Sequence, residues 1–132
     1  MIVVDTNILV YLGIDQQESQ LCKAVYAADP KWVLPNLWEY EFRNVLASYV
    51  RFKKLRLEDA VGLLERTHDW LGAGYECPDR EAVLKMAVEF GCSAYDCEYV
   101  VLAKHLGVIW ITYDRLLLKQ FPAIAVHPKN FV

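Results

Sequence analysis

The chain has 132 residues, 55% of them hydrophobic and 23% charged, with a formal net charge of −3. That length favours a single domain over residues 1–132, and a chain of this size buries on the order of two thirds of its unfolded surface. The composition excludes a disordered or low-complexity chain, and no apolar stretch approaches the roughly 20 residues of a membrane span. The acidic balance does not advertise broad electrostatic binding to nucleic acid.

The first element is the apolar run Ile2-Val3-Val4, which reads as a strand ending on Asp5. It has no basic n-region, and Asp5 interrupts it, so it is not a secretory signal and a cytoplasmic location is expected. Helical segments over 7–13 and 17–28 follow, then a strand at Trp32-Val33-Leu34. Segment 36–52 places Leu37, Phe42, Val45, Leu46 and Tyr49 at helical spacing, and 58–71 does so with Ala60, Val61, Leu64 and Leu71. Between them lie Arg51, Lys53, Lys54 and Arg56. This basic cluster reads as a solvated helix end, where cations complement the dipole, or as a hold on a phosphate backbone.

Tyr75-Glu76-Cys77 offers a further strand. Asp79 caps a helix over 80–90, and Ser93 caps one over 94–106 that stops at Gly107. A strand at Val108-Ile109-Trp110-Ile111, a helix over 115–120 ended by Pro122, and a strand at Ile124-Ala125-Val126 complete the chain. Strand and helix alternate, and the strands are continuous apolar runs. That pattern predicts an α/β domain around a central parallel sheet with helices on both faces. Ligands in such sheets bind beyond the carboxyl ends of the strands.

Acids occupy those places. Asp5 follows the first strand, and Thr112 and Asp114 follow the strand at 108–111. Glu41 shares a helix face with Leu37 and Asn44 at i, i+4 and i+7 spacing, and Asp96 lies in the first turn after Ser93. Singly, each has a bland reading: Asp5 or Thr6 as a helix cap, Asp96 as part of a capping box, Asp114 as a cap, Glu41 on a solvated edge. Together they gather four carboxylates at one end of the sheet. Such a cluster repels itself unless a cation compensates, and hard oxygen donors suit Mg²⁺ or Mn²⁺. One or two such ions activate a water and clamp a phosphodiester, and they reverse the local charge of an acidic protein.

The four cysteines, Cys22, Cys77, Cys92 and Cys97, contain no C-x-x-C pair and read as free thiols in the core. His68, His105 and His127 read as structural or surface groups, because metal-assisted hydrolysis needs no histidine base. Segments 36–52 and 58–71 carry Trp38, Tyr40, Phe42, Tyr49, Phe52 and Trp70. One helix buries one face in its own core, so part of this surface is expected to serve a dimer or a protein partner.

The stretches VVDTNILVYL, LPNLWEYEFRNVLASYV, SAYDCEYVVLAKHLG and ITYDRLL resemble, in order, those of the PIN-domain ribonucleases, and within them the VapC-type toxins of toxin–antitoxin pairs. The resemblance implies metal-binding acids at Asp5, Glu41, Asp96 and Asp114, supported by Thr6, Asn7 and Thr112, with Asn44 beside Glu41 as a further supporting residue. It implies a parallel sheet of strand order 3-2-1-4-5, Mg²⁺ or Mn²⁺ dependence, RNA as substrate, a homodimer and a VapB-type antitoxin partner. Tyr113 stands where a small residue is commoner, and Glu98 lies two residues after Asp96. Neither difference removes an acid. A free-standing RNA-processing nuclease of this family, or a PIN-like module kept only for binding, are the alternatives within the resemblance. A phosphate-receiving module would need adjacent acids after the first strand, where Thr6 stands, and a D-x-D phosphatase would need an acid at Asn7.

Overall fold

The computed structural model describes residues 1–76 and 79–132. In chain order it comprises β1 (Ile2–Val4), α1 (Thr6–Gly13), α2 (Ser19–Ala28), β2 (Trp32–Val33), α3 (Trp38–Phe52), α4 (Leu57–Leu71), α5 (Arg80–Phe90), α6 (Ala94–Leu106), β3 (Trp110–Ile111), α7 (Arg115–Gln120), β4 (Ala125–Val126) and α8 (Pro128–Phe131). The sheet is parallel, in the order β2-β1-β3-β4. All three residues of β1 are buried. Successive strand residues point to opposite faces, so helices must cover both.

The seven helices expected from periodicity and caps are all present, with starts shifted by up to two residues. Three caps form as read: the Ala82 amide donates to Asp79 (2.9 Å), the Asp96 amide to Ser93 Oγ (3.0 Å) and the Leu117 amide to Asp114 (3.0 Å). Gly107 ends α6 with φ +67°, a left-handed turn that suits glycine. The short α8 has a proline at its start and no apolar period, and the sequence reading passes over it.

The strand order needs correction. The sheet among the described residues has four strands, where five were expected. Tyr75 makes only an isolated parallel bridge to Pro35, and Cys77 lies outside the described residues. The bridge consists of the Tyr75 amide on Leu34 O (2.7 Å) and the Asn36 amide on Tyr75 O (2.9 Å). The next amide on that side, Trp38 N, already donates to Pro35 O (3.0 Å) as the chain turns into α3, so it does not extend the ladder. The approach to this bridge runs through Gly74 at φ +86°, where a Cβ would lie 2.7 Å from Trp38 and 2.8 Å from the Asn36 backbone. The other strands are shorter than their apolar runs: Leu34, Val108, Ile109 and Ile124 lie beyond the paired residues.

The core gathers Val3, Val4, Ile8, Trp38, Phe42, Tyr99, Leu102, Trp110 and Ile111. A smaller cluster of Val83, Cys97 and Val101 seals α5 against α6. Cys22, Cys92 and Cys97 are free thiols, the last two in contact at 3.0 Å. Burial is the first cause that pushes the Cys97 thiol up to about 12 and the Cys22 thiol up to about 11, which keeps both protonated and inert. No helix among the described residues is long and apolar enough to cross a membrane.

Candidate active site

The sheet register builds the site. Val4 pairs with Ile111, and the Asp5 amide donates to Ile111 O at 3.0 Å, which sets Asp5 beside Thr112 just past the carboxyl ends of β1 and β3. The buried Thr112 hydroxyl donates to Asp5 Oδ2 (2.8 Å) and accepts from the Asp114 amide (3.1 Å). Asp5 stands at the N-cap position of α1, yet its side chain makes no cap bond to that helix. The helix-cap reading of Asp5 therefore fails.

Glu41 comes from the first turn of α3. Its Oε1 accepts from Thr6 Oγ1 of α1 (3.1 Å) and from the Tyr99 hydroxyl of α6 (2.6 Å). Asp5, Thr6, Asn7, Glu41, Asn44 and Val45 line one cavity of about 210 Å³. Asp96 and Asp114 are outside that lining; they stand at the N-terminal ends of α6 and α7.

The charges connect the four acids. Burial, opposed by the Thr112 hydrogen bond and reinforced by Glu41 and Asp96, raises the Asp5 pKa to about 6. Burial raises Glu41 too, against the bonds from Tyr99 and Thr6, with Asp96 adding repulsion. Asp96 is raised by burial, with the Asp114 charge adding to it. Among the described residues, no three His, Cys, Asp or Glu side chains stand close enough to hold an ion in the present arrangement. The donor set nevertheless fits a hard divalent cation. It is all oxygen, partly buried, and mutually repulsive in the absence of positive charge.

Of the residues singled out from sequence, the structure brings Asp5, Thr6, Asn7, Glu41 and Asn44 to one cavity and Thr112 against Asp5. Among the described residues no histidine lines the cavity: His68 faces Glu39 (3.4 Å), His105 lies near Tyr75, and His127 accepts from the Lys129 amide and packs edge-on against Tyr113 (4.8 Å). Sequence reasoning missed Tyr99. A tyrosine on the apolar face of a helix reads as core; its place three residues after Asp96 was the available signal.

The aromatic residues of α3 and α4 divide between core and surface. Trp38 and Phe42 are fully buried, whereas Tyr40, Phe52 and Trp70 are exposed. An apolar groove of about 280 Å³ between α3 and α4 is lined by Leu46, Val50, Leu57, Val61 and Leu64, with Arg43 and Arg51 beside it. In the basic cluster, Arg51 lies over Phe52, Lys53 lies over Tyr49 and Arg56 pairs with Glu58.

The chain is thus a parallel α/β domain with Asp5 and Asp114 past the carboxyl ends of β1 and β3 and with Glu41 and Asp96 in the first turns of α3 and α6. The chain belongs to the PIN-domain family, whose model matches residues 2–122. It is 28% identical over 127 residues to Ribonuclease VapC3 of Pyrobaculum aerophilum, covering 93% of this chain and 96% of that protein. It also resembles the crystal structure of PAE2754 from Pyrobaculum aerophilum, with a TM-score of 0.73, 26% identity, and coverage of 94% of this chain and 81% of that one.

Proposed function

We propose that this chain is an endoribonuclease that hydrolyses RNA phosphodiester bonds with one or two divalent cations, Mg²⁺ or Mn²⁺, held by Asp5, Glu41, Asp96 and Asp114. The observation that carries the reading is that the Asp5 carboxyl, held by Thr112, and the Glu41 carboxyl, held by Thr6 and Tyr99, line one cavity past the end of β1, with Asp96 near enough to raise the pKa of both. Such a cluster costs folding free energy, and it marks a functional site where a ligand compensates the charge. When bound, the cations would supply an activated water and neutralise charge on the phosphodiester.

The chain's own residues prepare that chemistry. Thr112 orients Asp5, and Thr6 with Tyr99 orients Glu41, so these oxygens are aimed before a cation arrives. The amides of Asn7 and Asn44 on the cavity wall are suited to hold a phosphate oxygen or a water. In this reading the activated water needs no histidine base; none of His68, His105 and His127 lines the cavity, and the His127 ring packs on Tyr113 at 4.8 Å.

The likeness to a VapC ribonuclease over nearly the whole of both chains supports the toxin reading. In that reading the protein acts in the cytoplasm as a homodimer, and a VapB-type antitoxin restrains it. The groove between α3 and α4 suits an apolar antitoxin segment carrying acids toward Arg43 and Arg51. The test is to incubate the purified protein with RNA and Mg²⁺ or Mn²⁺, with an EDTA control, and to sequence the new ends. Discrete ends that appear only with the metal support the proposal. End profiles indistinguishable from the EDTA control overturn it.

A further inference from the structure

Tyr99 is one of the largest fully buried side chains of the protein, with 1% of its surface exposed. Its ring is held from the side of the sheet. It stacks on Trp110 of β3, with ring centroids 5.6 Å apart and an interplanar angle of 14°. Packing alone would be served by phenylalanine. A hydroxyl at such depth needs partners, and its partners here are site residues: Glu41 Oε1 at 2.6 Å and Thr6 Oγ1 at 2.5 Å.

Three oxygens in mutual contact share two hydroxyl protons. Tyr99 donates to the carboxylate along the short contact, and Thr6 donates either to the carboxylate (3.1 Å) or to the phenol oxygen. Both hydroxyls lie within hydrogen-bond reach of Oε1. Among the described residues Glu41 Oε2 has no hydrogen bond, and Glu41 lines the cavity shared with Asp5. Tyr99 also lies one turn after Asp96 on α6, whose start is fixed by the Ser93 cap. One helix therefore carries one carboxylate and grips another.

We propose that Tyr99 is a positioning residue: its buried hydroxyl pins Glu41 Oε1, so that Oε2 is the oxygen Glu41 offers to a cation, in fixed register with Asp96. The inference rests on the reading of Glu41 as a cation ligand. Partners of this kind, one bond removed from the ion, govern affinity on the order of 10-fold to 100-fold. The grip replaces the rotamer freedom a glutamate would otherwise lose on binding.

The test is Mn²⁺ affinity, read from the free-ion electron paramagnetic resonance signal, together with the melting temperature of each variant. The proteins are the parent, Tyr99→Phe, Glu41→Gln and Val101→Ala; the last loosens the α5–α6 contact away from the site. The expectation is that Tyr99→Phe weakens Mn²⁺ binding about 10-fold. Val101→Ala should lower the melting temperature and leave the affinity unchanged. Tyr99→Phe that binds Mn²⁺ as the parent does, while Glu41→Gln binds weakly, overturns the positioning role and leaves the carboxylate site standing. A parent that binds no Mn²⁺, or Glu41→Gln that binds as the parent does, overturns both. A second measurement does not depend on the variant folding: a crystal structure of the parent with Mn²⁺. Glu41 Oε2 on the ion with the Tyr99 bond to Oε1 kept supports the proposal; Oε1 on the ion with that bond broken overturns it.

Discussion

Replacing Asp5 by asparagine should stabilise the metal-free protein at neutral pH. Burial first, then repulsion from Glu41 and Asp96, raises its pKa from 3.8 to about 6, even though the Thr112 hydroxyl works the other way. At roughly 1.4 kcal/mol per pH unit, that difference corresponds to about 3 kcal/mol. The sign follows from linkage. The protonated acid is the form that folding favours, so its contribution is fully present below pH 3.8 and is lost as the pH rises through about 6. Above that, the folded protein carries a buried charge that asparagine removes. The amide keeps an oxygen for Thr112 but brings an NH₂ group that also needs partners. The net gain at pH 8 in EDTA is therefore about 1 to 2 kcal/mol, or roughly 3 to 8 °C in melting temperature. The assay is paired urea and thermal unfolding of parent and Asp5→Asn at pH 4, 6 and 8. The cost of the NH₂ group does not change with pH, so the advantage of the variant should shrink by about 2 to 3 kcal/mol between pH 8 and pH 4 and turn into a small deficit there. An advantage that is flat with pH, or that grows toward pH 4, refutes the reasoning.

Further expectations follow from the same geometry. Thr112→Val removes the bond that holds the Asp5 carboxyl down, so the pH at which the Asp5→Asn advantage levels off should move above about 6 in the Thr112→Val background, as seen in the same unfolding series. Cation binding needs the carboxylate form, so Mn²⁺ affinity measured calorimetrically should rise with pH through about 6 and level off above it. Ser93→Ala deletes the acceptor for the Asp96 amide and should cost about 1 kcal/mol in urea unfolding. Leu57→Glu places a charge in the groove between α3 and α4, and should weaken capture of a VapB-type antitoxin on the order of 10-fold or more in a binding titration, with RNA cleavage by the isolated protein unchanged.

The helices were legible because two local signals agreed: apolar residues at helical spacing, and caps at Asp79, Ser93 and Asp114 that form as read. The strands were legible in place but not in length. An apolar run such as Val108-Ile109-Trp110-Ile111 reports burial, whereas the ladder reports which backbone amides find partners. The expected strand at Tyr75 is only a bridge for that reason, since the chain opposite it turns into α3 and the Trp38 amide goes to Pro35 O instead. The positions of Asp5 and Glu41 were legible from strand ends and helix faces, but what holds them was only partly so. Local sequence left Asp5 open between a cap and a ligand; its side chain makes no cap bond to α1 and accepts instead from Thr112, far along the chain. Tyr99 was hidden because its role depends on which residues face it across the core, and a one-helix pattern does not contain that information.

The central claim is that Asp5, Glu41, Asp96 and Asp114 together hold a catalytic cation. Anomalous diffraction from crystals of this protein grown with Mn²⁺ tests it most directly. The account predicts a manganese peak at the carboxyl ends of β1 and β3, with oxygens of Asp5 and of at least two of the other three carboxylates around it, and no such peak in crystals of Asp5→Asn. Manganese sites found only elsewhere on the protein, or a peak that persists unchanged in Asp5→Asn, would contradict it.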